Sequence, residues 1–484
     1  MRPILQSRWR AEGAMLVYYG LRRWPNTLKQ TLFVGGRTGR LLRTLDGIRP
    51  LESYSSTPML RRLIRMGVVV DVSQRRTVPT SLGEARFCVN CAANDYTIPG
   101  LELDETGLCP MCRTAKRFRS CKNILPVVPE IPPSPDRRYD VAVFYTGGKD
   151  SSYLLYHLAC EQKLRVLALC WAIPFASNWA KESIRQAQRH LPQVDFLVEA
   201  APEEDLRKIY QRVYALQKNV CICPSVAYVL FFQRLARWRV PYLVLGNEPA
   251  QCKNLLYNGM APPIAFHPAA QRLARLFWNC GRVLTLRRPF ASGQMELYLL
   301  VKQLAFGRGP LARLFHWRNE LVDHTCQALA QAPELMAPFR DAVRQAGRDA
   351  RLPALVHLDL DAAAGGVYQW QAVKERLIAA LGWVDAPDTG KGLHTSCQLE
   401  RCKEWSQFTR FQAMESRTLP FSAVELSLAS SGGALTRKQA IYELEHHTGF
   451  TAEPPEELAQ ITAFLSGGTP EGEPPPSQQG RDRL

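Results

Sequence analysis

The densest concentration of chemistry-bearing residues is Thr146-Gly147-Gly148-Lys149-Asp150-Ser151, followed by Ser152. Paired glycines turn tightly and let backbone N–H groups approach an anion. Lys149 adds positive charge, and Thr146, Ser151 and Ser152 add hydroxyls. Asp150 offers the hard oxygen that Mg2+ prefers. The chemistry is phosphate binding, yet the Gly-x4-Gly-Lys-Ser/Thr spacing of a Walker loop is missing. A second constellation is Cys88-x2-Cys91 and Cys109-x2-Cys112, with seventeen residues between the pairs. Two such knuckles suit one tetrahedral zinc ion. Cys121 is expected to stand outside that set. A third group is Cys221-Ile222-Cys223-Pro224 with Cys252. One thiolate there could attack a sulfur donor and another resolve it. Equally, Cys223 could simply pack beneath a helix, since free cysteine is commonly buried. Cys397-x4-Cys402 is too sparse to be read as a metal site.

These residues need elements to hold them. The apolar run Tyr139 to Tyr145 reads as a strand, and a helical pattern opens at Ser151. A helix N-terminus presents unpaired N–H groups and a dipole that favours negative charge. That dipole contributes only about 0.3–1 kcal/mol, up to roughly 2, so Lys149 and the hydroxyls are needed too. Strands then follow at 165–171, 195–199 and 242–246, with helices near 178–191, 203–217 and 224–238 between them. Such alternation predicts an α/β fold with a doubly wound parallel sheet. Ligands of such sheets sit beyond the carboxyl ends of the strands. The loops 146–151 and Gly246-Asn247-Glu248 both fall there. Trp171, at another strand end, is either beside a bound base or in the core.

The hexapeptide resembles the Ser-Gly-Gly-x-Asp-Ser signature of the PP-loop ATP pyrophosphatases, the adenine nucleotide alpha hydrolase-like group. Thr146 replaces the usual Ser and keeps its hydroxyl. Four further features in order resemble the N-acetyl sugar amidotransferase family of that group. They are the four-cysteine ribbon with Asp104-Glu105-Thr106-Gly107, the glycine loop after a linker, Cys221-Ile222-Cys223-Pro224, and Leu245-Gly246-Asn247-Glu248-Pro249. Leu381-Gly382-Trp383 and Leu435-Thr436-Arg437-Lys438-Gln439-Ala440 add to the likeness, which spans about residues 87–450. The resemblance implies cleavage of ATP to AMP and pyrophosphate, with an amide oxygen adenylated and ammonia displacing AMP. It implies ATP contacts at Thr146, Gly147, Gly148, Lys149, Asp150, Ser151, Ser152, Gly246, Asn247 and Glu248. It further implies Mg2+ on Asp150, catalytic roles for Lys149, Asp150 and Cys223, and structural Zn2+ on Cys88, Cys91, Cys109 and Cys112. The Cys-x-Cys spacing and the N-terminal region depart from that family. No glutaminase signature is evident, so ammonia would come from a separate partner. The alternatives are a related PP-loop sulfurtransferase acting on tRNA or a natural product through Cys221, Cys223 and Cys252, and a non-catalytic nucleotide-binding scaffold.

The whole composition bounds these readings. A chain of 484 residues is expected to hold two to four domains. The expected division is a winged-helix-like basic module (1–80), a zinc-ribbon-like module (87–121), a proline-rich linker (122–138), a PP-loop ATP-binding domain (139–260), a helical and mixed substrate region (261–450) and a disordered tail (451–484). In the first module, Thr57-Pro58 starts a helix that Gly67 stops. A short stretch there resembles the winged-helix peptide-recognition domains of natural-product pathways. Net charge is +17, and residues 1–76 carry fifteen Lys/Arg against four Asp/Glu. No stacking pattern of aromatic and basic residues accompanies that charge, so nucleic acid is not the favoured partner. No apolar run approaches the roughly 18–20 residues of a membrane span. Fourteen cysteines without a secretory signal predict a reducing, cytoplasmic setting.

Overall fold

The computed structural model describes residues 1–22, 31–114, 124–261, 263–309, 319–387 and 391–467. Cys121 and residues 468–484 lie outside the described residues.

The N-terminal region holds β1 (Pro3–Leu5), β2 (Trp9–Glu12), β3 (Met15–Tyr18), β4 (Thr31–Phe33) and β5 (Val69–Asp71). β1 pairs antiparallel with β5, and β2-β3-β4 form a second antiparallel sheet. Helix Gly36–Arg43 packs on β2 and β3 and helix Pro58–Arg65 on β5, with Leu42, Leu60 and Leu63 in a small core of their own. The Thr57 side chain accepts from the Leu60 N–H and caps the second helix, as its sequence predicted.

The main body is a six-stranded, all-parallel sheet. Its strands are β6 (Val127–Val128), β7 (Val141–Phe144), β8 (Val166–Trp171), β9 (Asp195–Glu199), β10 (Tyr242–Leu245) and β11 (Ala354–Leu358), in the order β6-β11-β10-β7-β8-β9. Side chains alternate between two cores, as strand geometry requires. Val141, Val143, Val166, Ala168, Cys170, Val244 and Val356 face helices Lys149–Tyr156, Asn178–His190, Trp370–Leu381 and Phe421–Gly432. Ala142, Leu167, Leu169, Leu243 and Leu355 face helices Glu203–Gln217, Cys223–Arg237, Gln294–Phe306 and Pro333–Asp349. The architecture is consistent with a doubly wound α/β fold.

Four expected boundaries move. The proline-rich stretch 122–138 contributes the edge strand β6, which pairs with β11 at His357 and Leu358. β11 itself extends the sheet from residue 354, so the sheet does not end near 260. The four-cysteine segment shares the first core, where Ala92, Ala93 and Ile98 pack with Val424 and Leu428. Residues 451–467 are not a bare tail, because helix Leu458–Leu465 buries Ile461 and Phe464 against the second core. Each of these is a long-range pairing that no local pattern announces.

Chain order makes β7 the pivot. The path runs from β7 outward through β8 to β9, then returns to β10 on β7's other flank. That reversal is a topological switch point, where loops from neighbouring strands diverge and leave a crevice.

Candidate functional site

Both candidate loops lie at that switch point. The glycine loop follows β7, and Gly246-Asn247-Glu248 follows β10, its neighbour. Gly147 adopts φ 74°, and a Cβ there would lie 2.2 Å from the Ala180 carbonyl oxygen. Only glycine fits that combination of left-handed backbone and close approach. Gly246 is needed for a different reason: a Cβ would sit 2.9 Å from Leu154 Cδ2 on the helix that the glycine loop starts. The two loops are therefore packed on each other.

The helix beginning at Lys149 has Gly148 as its N-cap, with no side-chain cap. Ser151 Oγ donates to the Gly148 carbonyl at 3.1 Å and lies 3.2 Å from Thr146 Oγ1. Ser152 is fully buried and its hydroxyl faces Tyr145 OH at 3.5 Å. It packs in the core rather than lining the loop, because it lies on the helix face turned toward the sheet.

Lys149 does not extend toward the mouth of the loop. It is buried, with its Nζ paired to Asp150 and 3.6 Å from Glu248 Oε2. The rings of Tyr368 and Trp370 flank the ammonium at 4.8 and 4.9 Å. Tyr368 OH donates to Asp150 Oδ1 at 2.9 Å, and Trp370 Nε1 donates to Glu248. Burial alone would lower the Lys149 pKa, but Asp150 and Glu248 outweigh it and raise it. The ammonium thus clamps the two loops together. Burial pushes the Glu248 carboxyl up to about 8, against the opposing field of Lys149. Glu248 Oε1 has no hydrogen-bond partner, an expensive state for a buried oxygen. Asp150 remains one-fifth exposed at the same place. Asn247 donates from Nδ2 to Gln251 at 3.2 Å.

A strap from the distant segment 394–397 crosses this loop. Ser177 N–H donates to Ser396 O at 3.0 Å, and Trp179 Nε1 donates to Thr395 O at 2.5 Å. A Cβ on Gly148 would meet Ser396 Cβ at 3.4 Å. Trp383, within the Leu381-Gly382-Trp383 motif, donates from Nε1 to Gly147 O at 2.9 Å. Gly382 ends its helix in a left-handed turn, which aims Trp383 inward.

Next to the strap is a buried ionic network absent from the sequence reading. His394, at φ 48°, lies 2.7 Å from Glu425 Oε2, and Asn254 donates to Glu425 Oε1 at 2.7 Å. Lys403 pairs with Glu400, and both are buried. Burial and Lys403 push the His394 pKa down, but Glu400 and Glu425 outweigh them and raise it. Two signals in the chain point to this network. Glu425 is the single charge in the helix Phe421–Gly432, and Glu400, Lys403, Glu404 and Gln407 recur at helical spacing with an inward face.

The three sulfur candidates separate. Solvent reaches Cys221, although protein crowds it and pushes its thiol up. Cys223 is more covered; burial raises its thiol well above the usual range, and neighbouring Cys221 and Cys397 add to the rise. Its sulfur lies 3.9 Å from Tyr210 OH. Cys252 is buried instead against His357, 3.3 Å from Nε2, and burial lowers that imidazole to about 4. Raised thiols are poor nucleophiles. Trp171 is buried in the second core, and its Nε1 has no partner.

The four ribbon cysteines come together. Their sulfurs all lie within 4.8 Å of one another, with Cys88–Cys112 at 3.8 Å and Cys91–Cys109 at 3.6 Å. Tetrahedral Zn–S bonds of about 2.3 Å place sulfurs about 3.8 Å apart. Backbone N–H groups of Cys109 and Ala93 point at Cys88 Sγ and Cys91 Sγ, at 3.3 and 3.5 Å. Arg437, from the second resemblance motif, donates to the Cys88 and Cys91 carbonyls at 3.0 and 3.2 Å. The donor set and spacing fit a metal such as zinc.

A concavity of about 520 Å³ lined by Arg237, Arg239, Arg344, Arg348 and Arg351 lies at the opposite end of the sheet, where β10 and β11 begin. It is remote from both loops. No helix among the described residues is long and apolar enough to cross a membrane. Neither protein-family models nor curated proteins provide a match to this chain.

Proposed function

We propose that the chain is an ATP-dependent enzyme of the PP-loop type, close to the N-acetyl sugar amidotransferases. In this reading it cleaves ATP to AMP and pyrophosphate. The oxygen of an amide on a sugar or related small substrate attacks the α-phosphorus, and the α–β bridging bond breaks. Ammonia then adds to the activated carbon, and AMP leaves with that oxygen, yielding an amidine. The observation that carries the reading is the meeting of two loops at the switch point, joined through buried Lys149, with Glu248 Oε1 unpartnered beside Asp150.

The roles follow from position. Gly147 and Gly148 bring backbone N–H groups to the leaving pyrophosphate, and Thr146 and Ser151 line the turn. Mg2+ would neutralise phosphate charge; Asp150, still partly exposed, is the carboxylate placed to hold it, and Glu248 would join it only on giving up its proton. Lys149 acts as a positioning residue that fixes both carboxylates. Ser152 has no direct part. The four-cysteine module is proposed as a structural zinc ribbon, and the region 1–80 as a winged-helix-like appendage. Ammonia would come from a separate glutaminase. A cytoplasmic setting fits this chemistry.

Sulfur transfer is the second reading, favoured by Cys221 at an open position with Cys223 and Cys397 nearby. The raised thiols weigh against it. The test is pyrophosphate release by the full chain with ATP, Mg2+, ammonium and N-acetylated nucleotide sugars. Asp150→Asn is expected to cut release by on the order of 100-fold. Unchanged release would refute the metal-ligand role. Failure to release pyrophosphate with every acceptor class, tRNA included, would leave a nucleotide-binding scaffold. A thiolated product made with a sulfur donor, and lost in Cys221→Ser with Cys223→Ser, would shift the assignment to thiolation.

A further inference from the structure

Helix Pro268–Leu284 is built inside out. Surface helices of globular proteins turn an apolar stripe to the core and a polar face to water. Here the polar residues anchor it. Gln271 donates to Ala265 O at 2.6 Å, and Arg275 donates to Ser292 Oγ at 2.9 Å. Asn279 exchanges hydrogen bonds with the Phe290 backbone at 2.9 and 2.8 Å. Arg282 is buried over the Phe290 ring, and its guanidinium donates to Gly347 O at 2.8 Å. These four residues follow helical spacing and define the inner face.

The outer face is apolar. Leu273, Leu276, Phe277, Val283 and Leu284 are exposed at the spacing of a single stripe, and Leu286 continues it past the helix end. Phe277 is 82 % exposed, Leu284 85 % and Leu286 97 %. Leu286 is held at φ 56°, a backbone state leucine rarely takes, with its side chain in water. Residues 268–288 contain five arginines and no Asp or Glu. Arg272, Arg287 and Arg288 are exposed at the rims of the stripe.

We propose that this helix lies in the surface of a bilayer rich in anionic lipid, its apolar stripe among the upper acyl chains and its arginines at the phosphates. The exposed arginines beside the stripe, in a segment with no Asp or Glu of its own, carry this choice of occupant by charge complementarity. Amphipathic interfacial helices combine just these two attractions. The proposal is independent of the reaction assigned to the loops.

The experiment is co-sedimentation of the full chain with vesicles of phosphatidylcholine, with and without phosphatidylglycerol, at two salt concentrations. Binding is expected with phosphatidylglycerol and at least about tenfold weaker without it. Leu276→Ser with Phe277→Ser and Leu284→Ser should lose binding by about tenfold or more, while melting as the parent does. Arg287→Glu with Arg288→Glu should lose it too and flatten the salt dependence. Vesicle binding that survives both sets of changes overturns the proposal. So does absence of binding in every vesicle. A parent that is dimeric by light scattering, with the serine variant monomeric, would assign the stripe to a second copy instead.

Discussion

Removal of metal from the four-cysteine site should destabilise the main body and not merely a surface appendage. The physical reason is location. Cys88, Cys91 and Cys109 are fully buried, and the segment shares its core with Val424 and Leu428 of the helix Phe421–Gly432. Arg437 ties the knuckle carbonyls to a further helix. Structural zinc supplies about 10–16 kcal/mol of apparent binding energy, which corresponds to dissociation constants from tens of nanomolar down to roughly picomolar. With free zinc at about ten thousand times such a constant, linkage contributes about 5 kcal/mol to stability. Most domains have only about 5–15 kcal/mol in total. For a cooperative unit of roughly 330 residues, that loss lowers the melting midpoint by about 8 °C. The assay has two parts. Metal content of protein purified without added chelator is measured by mass spectrometry, with about one zinc per chain expected. Thermal melts then compare that protein with a chelator-stripped sample and with Cys109→Ser. Metal-free protein that melts within about 1 °C of the parent would refute the reasoning, because it would show that the four thiols need no ion to pack.

Two further outcomes follow from the loops. Gly147→Ala forces a Cβ to 2.2 Å from Ala180 O at φ 74°, so it should cost at least about 2 kcal/mol and, if the proposed function holds, weaken ATP binding measured by calorimetry; a parent-like melt would contradict the geometry. Glu248 gives a pH dependence with a definite sign. Its carboxyl is raised to about 8 by burial, so the folded state keeps a proton that the unfolded chain releases. Stability from this group is therefore full at acid pH and falls between about pH 4.5 and 8, by at most roughly 1.4 kcal/mol per pH unit. Glu404 and Glu443 are raised by burial as well and slope the same way. Glu248→Gln should flatten the curve relative to the parent in denaturant titrations, and identical slopes would exclude Glu248 as the source.

The local elements are legible because their signals are local. Helix Glu203–Gln217 and strand Asp195–Glu199 fall at the predicted residues. The Thr57 cap and the alternation of apolar side chains along β7 and β8 are equally short-range. The cysteine spacing alone announces the four-sulfur cluster. Ser152 departs from its expected place at the loop because residue type says nothing about which way a helix face turns. Lys149 departs from it because its buried position depends on Tyr368 and Trp370, far along the chain.

The sequence by itself determined the alternating α/β pattern, the glycine turn and the four-sulfur cluster. Each rests on backbone periods, φ preferences or fixed ligand geometry, which act over a few residues. Tertiary structure alone decided that β6 and β11 complete the sheet. It also decided that 394–397 crosses the glycine loop, that Lys149 clamps Asp150 to Glu248, and that the helix Pro268–Leu284 turns its apolar side to solvent. These are outcomes of burial and loop closure across the whole chain, where the free energy of many distant contacts chooses the partner.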